Sequence, residues 1–284
     1  MKLFFIRKNL SQNLNIRDFL EEACINNNID FLDIIPEDFN FLEEGLVKKW
    51  DLLYRSSSTH ACRAIESFVL TKWGVSFHKN PVEGINFRND SFLFNKMVWL
   101  PIIPTIPDLS NKGLLEQYVE HLGWFPVVLK VTWWSHGVGV MKVDSISSLR
   151  SIIDYLESGN TKFILRRFVQ HHQQGRLVVV GNKVIASDIA IMSISHDFRS
   201  NIGDDKTRVW EAKTYSAEIQ DLAVNAVNSF GVEFWGVDIL FEESTERPYV
   251  SEVNFPCDFS GTQKKTNINI ADIMIKFLIG KVNK

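Results

Sequence analysis

Apolar residues recur in two rhythms along this chain. Short runs such as Lys2–Ile6, Phe31–Pro36, Trp50–Arg55 and Gly74–His78 are rich in branched and aromatic residues and read as strands. Between them the spacing changes to three and four. Ile16, Phe19, Leu20 and Cys24 mark one helical face, with Asn15 placed to cap it, and Thr59–Trp73 reads as a second helix. Strand, helix, strand, helix, strand points to a small, mostly parallel α/β unit over residues 1–85. Ligands of such sheets bind at the carboxyl ends of strands. Arg55 stands at one such end, as an anion contact or as half of a surface salt bridge.

A connector follows. Phe87–Leu100 has helical character, Pro101–Pro107 is held extended by its prolines, and Lys112–Gly123 is a helix that glycine ends. From Pro126 the rhythm changes to hairpins. Pro126–Val131 and Met141–Val143 are strands joined by a loop holding Gly137 and Gly139, with Lys130 at its entrance. Glycines allow close backbone approach to an anion, and an ammonium beside them suits a phosphate, although most such loops are plain turns. Leu149, Ile152, Ile153 and Leu156 define a structural helix with Ser145 or Ser147 as cap and Gly159 as stop. Lys162–Val169 is a strand. Gln170–Gly175 is a polar turn in which His171 and His172 read as solvated. Arg176–Ile191 is a hairpin turning at Gly181-Asn182, with Arg176 at its mouth as a candidate phosphate contact. Ile219, Leu222, Ala223, Ala226 and Phe230 face the core from a helix capped by Ser216 and ended by Gly231; Asn267–Lys281 is a last amphipathic helix.

The stretch Phe234–Asn254 reads as one more hairpin, with a polar connection at Glu242–Pro248. If Phe241 then faces Tyr249, Asp238 lies directly opposite Glu252, and Asn254 stands two residues on along the same face. Opposed carboxylates in an apolar run repel and resist ionisation unless a cation sits between them. Two carboxylates and an amide oxygen are hard ligands of the kind Mg²⁺ accepts, commonly with substrate phosphates. A solvated acidic face is the alternative.

Composition narrows the classes. The chain has 284 residues, 45% hydrophobic and 23% charged, enough for two domains or one large one. A net charge of −3 gives no bulk attraction to nucleic acid or to an anionic membrane, and neither is expected as a partner. Cys24, Cys62 and Cys257 form no paired motif, which argues against a disulfide framework or a zinc site. No run approaches the length of a membrane span, and the start of the chain lacks the apolar stretch of a signal peptide. The expectation is a soluble cytoplasmic protein.

Taken in order, these pieces resemble the ATP-grasp superfamily, and within it the RimK-like ligases. The specific motifs are Asp197-Phe198-Arg199-Ser200-Asn201, Gly236-Val237-Asp238-Ile239-Leu240 and Glu252-Val253-Asn254. The resemblance implies an α/β (α+β) ATP-grasp fold: an N-terminal α/β domain over 1–85, a connector and small subdomain with a glycine flap over 86–165, and a C-terminal subdomain with the metal site over 166–284. It implies that Asp238, Glu252 and Asn254 hold two Mg²⁺ ions, with Mn²⁺ as a substitute. Lys130 and the flap Ser135, His136, Gly137, Val138 and Gly139 would contact the phosphates of ATP. Arg167 and Phe168 would border the nucleotide, Arg176 would join the anionic pocket, and Arg199 and Asn201 would face the transferred phosphate. The implied reaction activates a carboxylate as an acyl phosphate and passes it to an amine. A thiol acceptor, or ATP binding without catalysis, is the alternative.

Three departures from the family pattern stand out. Arg166-Arg167 occupies the place of an acidic or amide pair beside the adenine, Ser91 follows Asp90 where lysine is usual, and Ile202–Lys206 replaces an Arg-Gly-Gly run. The triphosphate and metal side is kept while the base and substrate sides differ. The expected substrate is accordingly an unusual one, such as a peptide or a carrier-bound amino acid. The oligomeric state, homo-oligomer or monomer, stays open.

Overall fold

The computed structural model describes residues 1–79, 99–132, 138–192 and 208–283. Strand β1 (Lys2–Ile6) lies between β2 (Asp30–Ile34) and β3 (Leu52–Arg55), parallel to both. A parallel sheet needs cover on both faces, and β1 is apolar on both. Leu3 and Phe5 pack toward helix α1 (Leu14–Asn26). Phe4 and Ile6 pack toward helix α2 (His60–Thr71). Thr59 caps α2 by accepting from the Cys62 amide. Asn15 does not cap α1, because it lies inside the helix. The cap position is Asn13, in the left-handed region, and its side-chain amide donates to the Ser56 carbonyl instead. Gly74–His78 is not a full strand: it makes isolated bridges, Leu52 with Val75 and His78 with Val232.

The next sheet is antiparallel, in the order β4 (Thr105–Ile106), β7 (Phe163–Arg167), β5 (Val127–Val131), β6 (Val140–Val143). Its inward residues Val127, Leu129, Val131 and Leu165 bury Leu115 and Val119 of α3 (Leu115–His121) and Leu149, Ile153 and Leu156 of α4 (Ile146–Ser158). Ser145 caps α4 by accepting from the Ser148 amide, and Gly159 follows its last turn.

The largest sheet is also antiparallel. Its order is β10 (Arg208–Ala212), β9 (Lys183–Met192), β8 (Gln173–Val180), β11 (Phe234–Phe241), β12 (Pro248–Asn254). β8 and β9 turn at Gly181, whose φ is +61°. β8 starts earlier than its apolar pattern suggests, since Gln173, Gln174 and Gly175 pair with Phe241, Leu240 and Ile239. One face buries Leu177, Val179, Trp235, Val237 and Ile239 against Ala223, Ala226 and Val227 of α5 (Ala217–Asn228). Ser216 precedes α5 without a side-chain cap bond. On the other face Val178, Val180 and Phe234 pack against Ala271, Met274, Ile275 and Leu278 of α7 (Ile270–Val282) and against the N-terminal unit. That packing covers one end of the face and leaves polar residues of the same strands beyond it. Helix α6 (Ser260–Thr266), which has no apolar rhythm of its own, comes before α7. Among the described residues no helix is long and apolar enough to cross a membrane.

Candidate active site

The hairpin β11–β12 pairs Asp238 with Glu252, as its sequence suggests, by a different route. Phe241 faces Pro248, not Tyr249, so the connection is one residue shorter than expected. A regular ladder in that register would set Asp238 against Ser251. A bulge between Asp238 and Ile239 shifts the register by one and restores Glu252 as the partner. A bulge leaves its extra residue unpaired in the ladder. Here the Ser251 carbonyl accepts instead from Arg166 Nη1, at 3.1 Å.

Pairing continues across the sheet. Asp238 faces Arg176 on β8, and Arg176 faces Asp188 on β9. One face thus carries Glu252, Asp238, Arg176 and Asp188 in a single row. Arg176 Nη2 donates to Asp238 Oδ2 at 3.3 Å, and Nε lies 2.6 Å from Oδ1. That closer approach is not aligned as a hydrogen bond, and buried Oδ1 has no hydrogen-bond partner. Asn254 Nδ2 donates to Asp238 Oδ2 at 2.9 Å, turning its own oxygen away. Burial pushes the Asp238 carboxyl above the ordinary carboxylate range. Arg176 opposes that rise, Glu252 adds to it, and the Asn254 bond again opposes it. Burial disfavours charge on Arg176, but Asp238 and, after it, Cys257, Glu252 and Asp188 outweigh this and hold the guanidinium firmly protonated.

Space for Arg176 depends on Gly236. A Cβ there would lie 2.6 Å from Cys257 Sγ and 2.9 Å from Arg176 Nη1. Burial pushes the Cys257 thiol up to about 12, so it is no nucleophile at neutral pH. The donor set of Asp238, Glu252 and Asn254 fits a divalent cation: hard oxygens, one buried oxygen without a hydrogen bond, and a carboxyl that burial holds above its usual range. Among the described residues no group of three or more His, Cys, Asp or Glu is suited to a metal.

The small sheet faces this row with cations. Lys130 Nζ on β5 lies 3.6 Å from Glu252 Oε2. Arg166 is buried, and burial lowers its guanidinium to about 10. Arg167 pairs with Glu242, donates to the Tyr249 hydroxyl at 3.3 Å and lies 5.7 Å from that ring. Lys142 Nζ lies 4.6 Å from the Phe168 ring. Val138 is exposed, and Gly139, with φ of +75°, accepts from the Val131 amide as the loop returns to β6. Ser135, His136, Gly137, Arg199, Asn201, Asp90, Ser91 and Ile202–Lys206 lie outside the described residues, as does most of Phe87–Leu100.

Two expectations need correction. Arg55 is neither an anion contact nor a surface pair. It is 3% exposed, its Nε bonds Glu66 Oε2 at 2.6 Å, and His78 Nε2 sits 3.0 Å from the other Glu66 oxygen. Arg55 also stacks 5.0 Å from the ring of Phe255, the residue after Asn254, so the N-terminal unit buttresses the site. His171 is not solvated: its Nδ1 meets the Val169 carbonyl, and burial lowers its pKa. His172 stays partly exposed, as its sequence suggests, and pairs with Glu243 at 2.7 Å. Sequence reasoning also passed over the roles of Cys257, Ser251 and Asp188, and over the room that Gly236 makes within its motif. Only Gly236, a glycine inside a strand, carried a visible signal of close approach.

A family model described as the RimK-like ATP-grasp domain matches residues 107–278. The chain belongs to this family. It is 29% identical over 185 residues to a probable alpha-L-glutamate ligase of Rhodopirellula baltica, covering 64% of this chain and 44% of that protein. It is 29% identical over 162 residues to the ribosomal protein bS6–L-glutamate ligase of Salmonella paratyphi B, covering 56% and 52%. The chain thus spans about half the length of the curated relatives it matches. Among solved structures, the ATP-grasp ligase PsnB in complex with a minimal precursor superposes with a TM-score of 0.73 at 15% identity, covering 99% of both chains. The macrocyclase MdnC of Microcystis aeruginosa MRC, bound with precursor peptide MdnA, gives 0.73 at 14% identity over 99% of this chain and all of that one. These likenesses establish the ATP-grasp fold for the whole chain, the N-terminal unit included.

Proposed function

We propose that this protein is an ATP-dependent ligase that activates a carboxylate as an acyl phosphate and joins it to an amine, with a peptide or protein carrying one of the two groups. The observation that carries this reading is the row Glu252, Asp238 and Arg176, closed from the opposite sheet by Lys130. In the first step a carboxylate oxygen attacks the γ-phosphorus of ATP and the bond to ADP breaks. In the second, the amine nitrogen attacks the acyl carbon, and inorganic phosphate leaves. The first step joins two anions, so positioning and charge neutralisation dominate. Lys130 and Arg176 supply fixed positive charge along the triphosphate, and Arg199 and Asn201 act on the transferred phosphoryl group. Asp238, Glu252 and Asn254 would hold Mg²⁺, two ions in this reading, which neutralises the phosphates when bound. The buried free thiols Cys24, Cys62 and Cys257 suit the reducing cytoplasm.

The names of the relatives make L-glutamate the first amine to try. ADP release is measured with Mg²⁺, ATP, L-glutamate and a panel of peptides. Peptide-dependent ADP release and a peptide mass increased by glutamyl units are expected, and both vanish in Glu252→Ala. Tight ATP binding without turnover on any acceptor would favour the non-catalytic alternative.

A further inference from the structure

The charge row does not stop at Arg176. We propose that Asp188, with Gln174 beside it, is the subsite that receives the ammonium group of the amine acceptor; this rests on the ligase reading above. Asp188 is the cross-strand neighbour of Arg176 on the side away from Asp238, two strands and hence about 10 Å from it. It is 1% exposed. Its Oδ2 lies 3.4 Å from Lys265 Nζ, while its buried Oδ1 accepts no hydrogen bond. Gln174 pairs with Ala190 and so lies diagonal to Asp188 on the same face, within reach of a long side chain. It is 5% exposed, and its Oε1 is likewise buried without a partner.

Both unpartnered atoms are acceptors. A buried acceptor left empty is destabilising, so the group that completes the pair must donate. An ammonium donates three times and accepts nothing. Lys265 shows that the carboxylate takes such a group: its ammonium sits at Oδ2, braced 4.0 Å from the Trp210 ring on the edge strand. The order of charges along the row then matches the order of the reactants. Glu252 and Asp238 meet the metal, Arg176 meets the anionic acyl phosphate, and Asp188 meets the ammonium group, whose nitrogen attacks only after it has given up a proton, with the carboxylate as the acceptor at hand.

Rubidium, a monovalent cation close to ammonium in size and visible by anomalous scattering, serves as the probe. Crystals of the full chain soaked in rubidium chloride should show an anomalous peak at Asp188 Oδ1, and Asp188→Asn should abolish it. The same variant should bind Mg²⁺·ATP within about twofold of wild type by calorimetry. No peak in wild type, water alone at that position, a peak that survives Asp188→Asn, or a tenfold loss of Mg²⁺·ATP affinity in that variant would each overturn the assignment. Failure of wild type to bind Mg²⁺·ATP would strike the ligase reading and leave the rubidium result to stand by itself.

Discussion

Replacing Gly236 by alanine adds one methyl group at the most crowded point of the charge row. The new Cβ would lie 2.6 Å from Cys257 Sγ, 2.9 Å from Arg176 Nη1 and 3.4 Å from Arg176 Cδ. The first contact is about 0.8 Å inside ordinary van der Waals separation. Arg176 can swing its guanidinium aside, but Cys257 is short, 1% exposed and packed in the core shared with the N-terminal unit. Overpacking of this kind costs about 1–3 kcal/mol. At about 2–4 °C per kcal/mol, Tm falls by roughly 2–12 °C. Because Arg176 yields more easily than the thiol, its contacts with Asp238 loosen, and Mg²⁺·ATP affinity falls as well. Scanning calorimetry on Gly236→Ala, Cys257→Ala and the double variant measures the coupling. The double variant should be more stable than the two single losses added together, by about 1 kcal/mol or more. An unchanged Tm in Gly236→Ala, or strictly additive losses, would refute the argument that the glycine makes room for this thiol and this arginine.

Glu66→Gln should cost about 3–5 kcal/mol in chemical unfolding, because it strips the countercharge from an arginine that is 3% exposed. The pH response follows from the same group. Burial raises the Glu66 carboxyl, but His78 and Arg55 together bring it below the ordinary 4.5. Its stabilisation is therefore complete above pH 4.5 and is lost as the pH falls through the lowered value. Wild type should lose this increment on acidification and Glu66→Gln should not, as pH-dependent urea midpoints would report. Lys130→Met should leave Tm nearly unchanged, since its pair with Glu252 is 3.6 Å long and partly exposed and contributes at most about 1 kcal/mol. The same variant should weaken Mg²⁺·ATP binding severalfold by calorimetry.

Legibility in the sequence depended on range. Helices with one wet face, such as Ile146–Ser158 with its serine cap and closing glycine, were readable because the signal is local. The Asp238–Glu252 pairing was read correctly for an incomplete reason. A loop one residue too long and an unforeseen bulge cancelled, and alternation alone cannot reveal either. Arg55 was misread because its partners arrive from afar: Glu66 from the next helix, His78 beyond it, and Phe255 from the far end of the chain. Asp188 was invisible for the same reason. Within Lys183–Met192 it follows Ser187 in a mostly apolar strand, and only three strand pairings place it beside Arg176 and in line with the carboxylates. His171 shows the opposite error, a polar turn taken as solvated where the fold buries it.

The central claim is that the Asp238–Glu252 hairpin is a divalent-cation shelf for a nucleotide triphosphate. Isothermal calorimetry of ATP into wild type and Asp238→Asn, each with Mg²⁺ and with EDTA, tests it most directly. Wild type should bind ATP with Mg²⁺ and lose at least tenfold in affinity with EDTA, while Asp238→Asn should bind weakly and without regard to Mg²⁺. ATP binding that is equally tight in all four titrations would contradict the account.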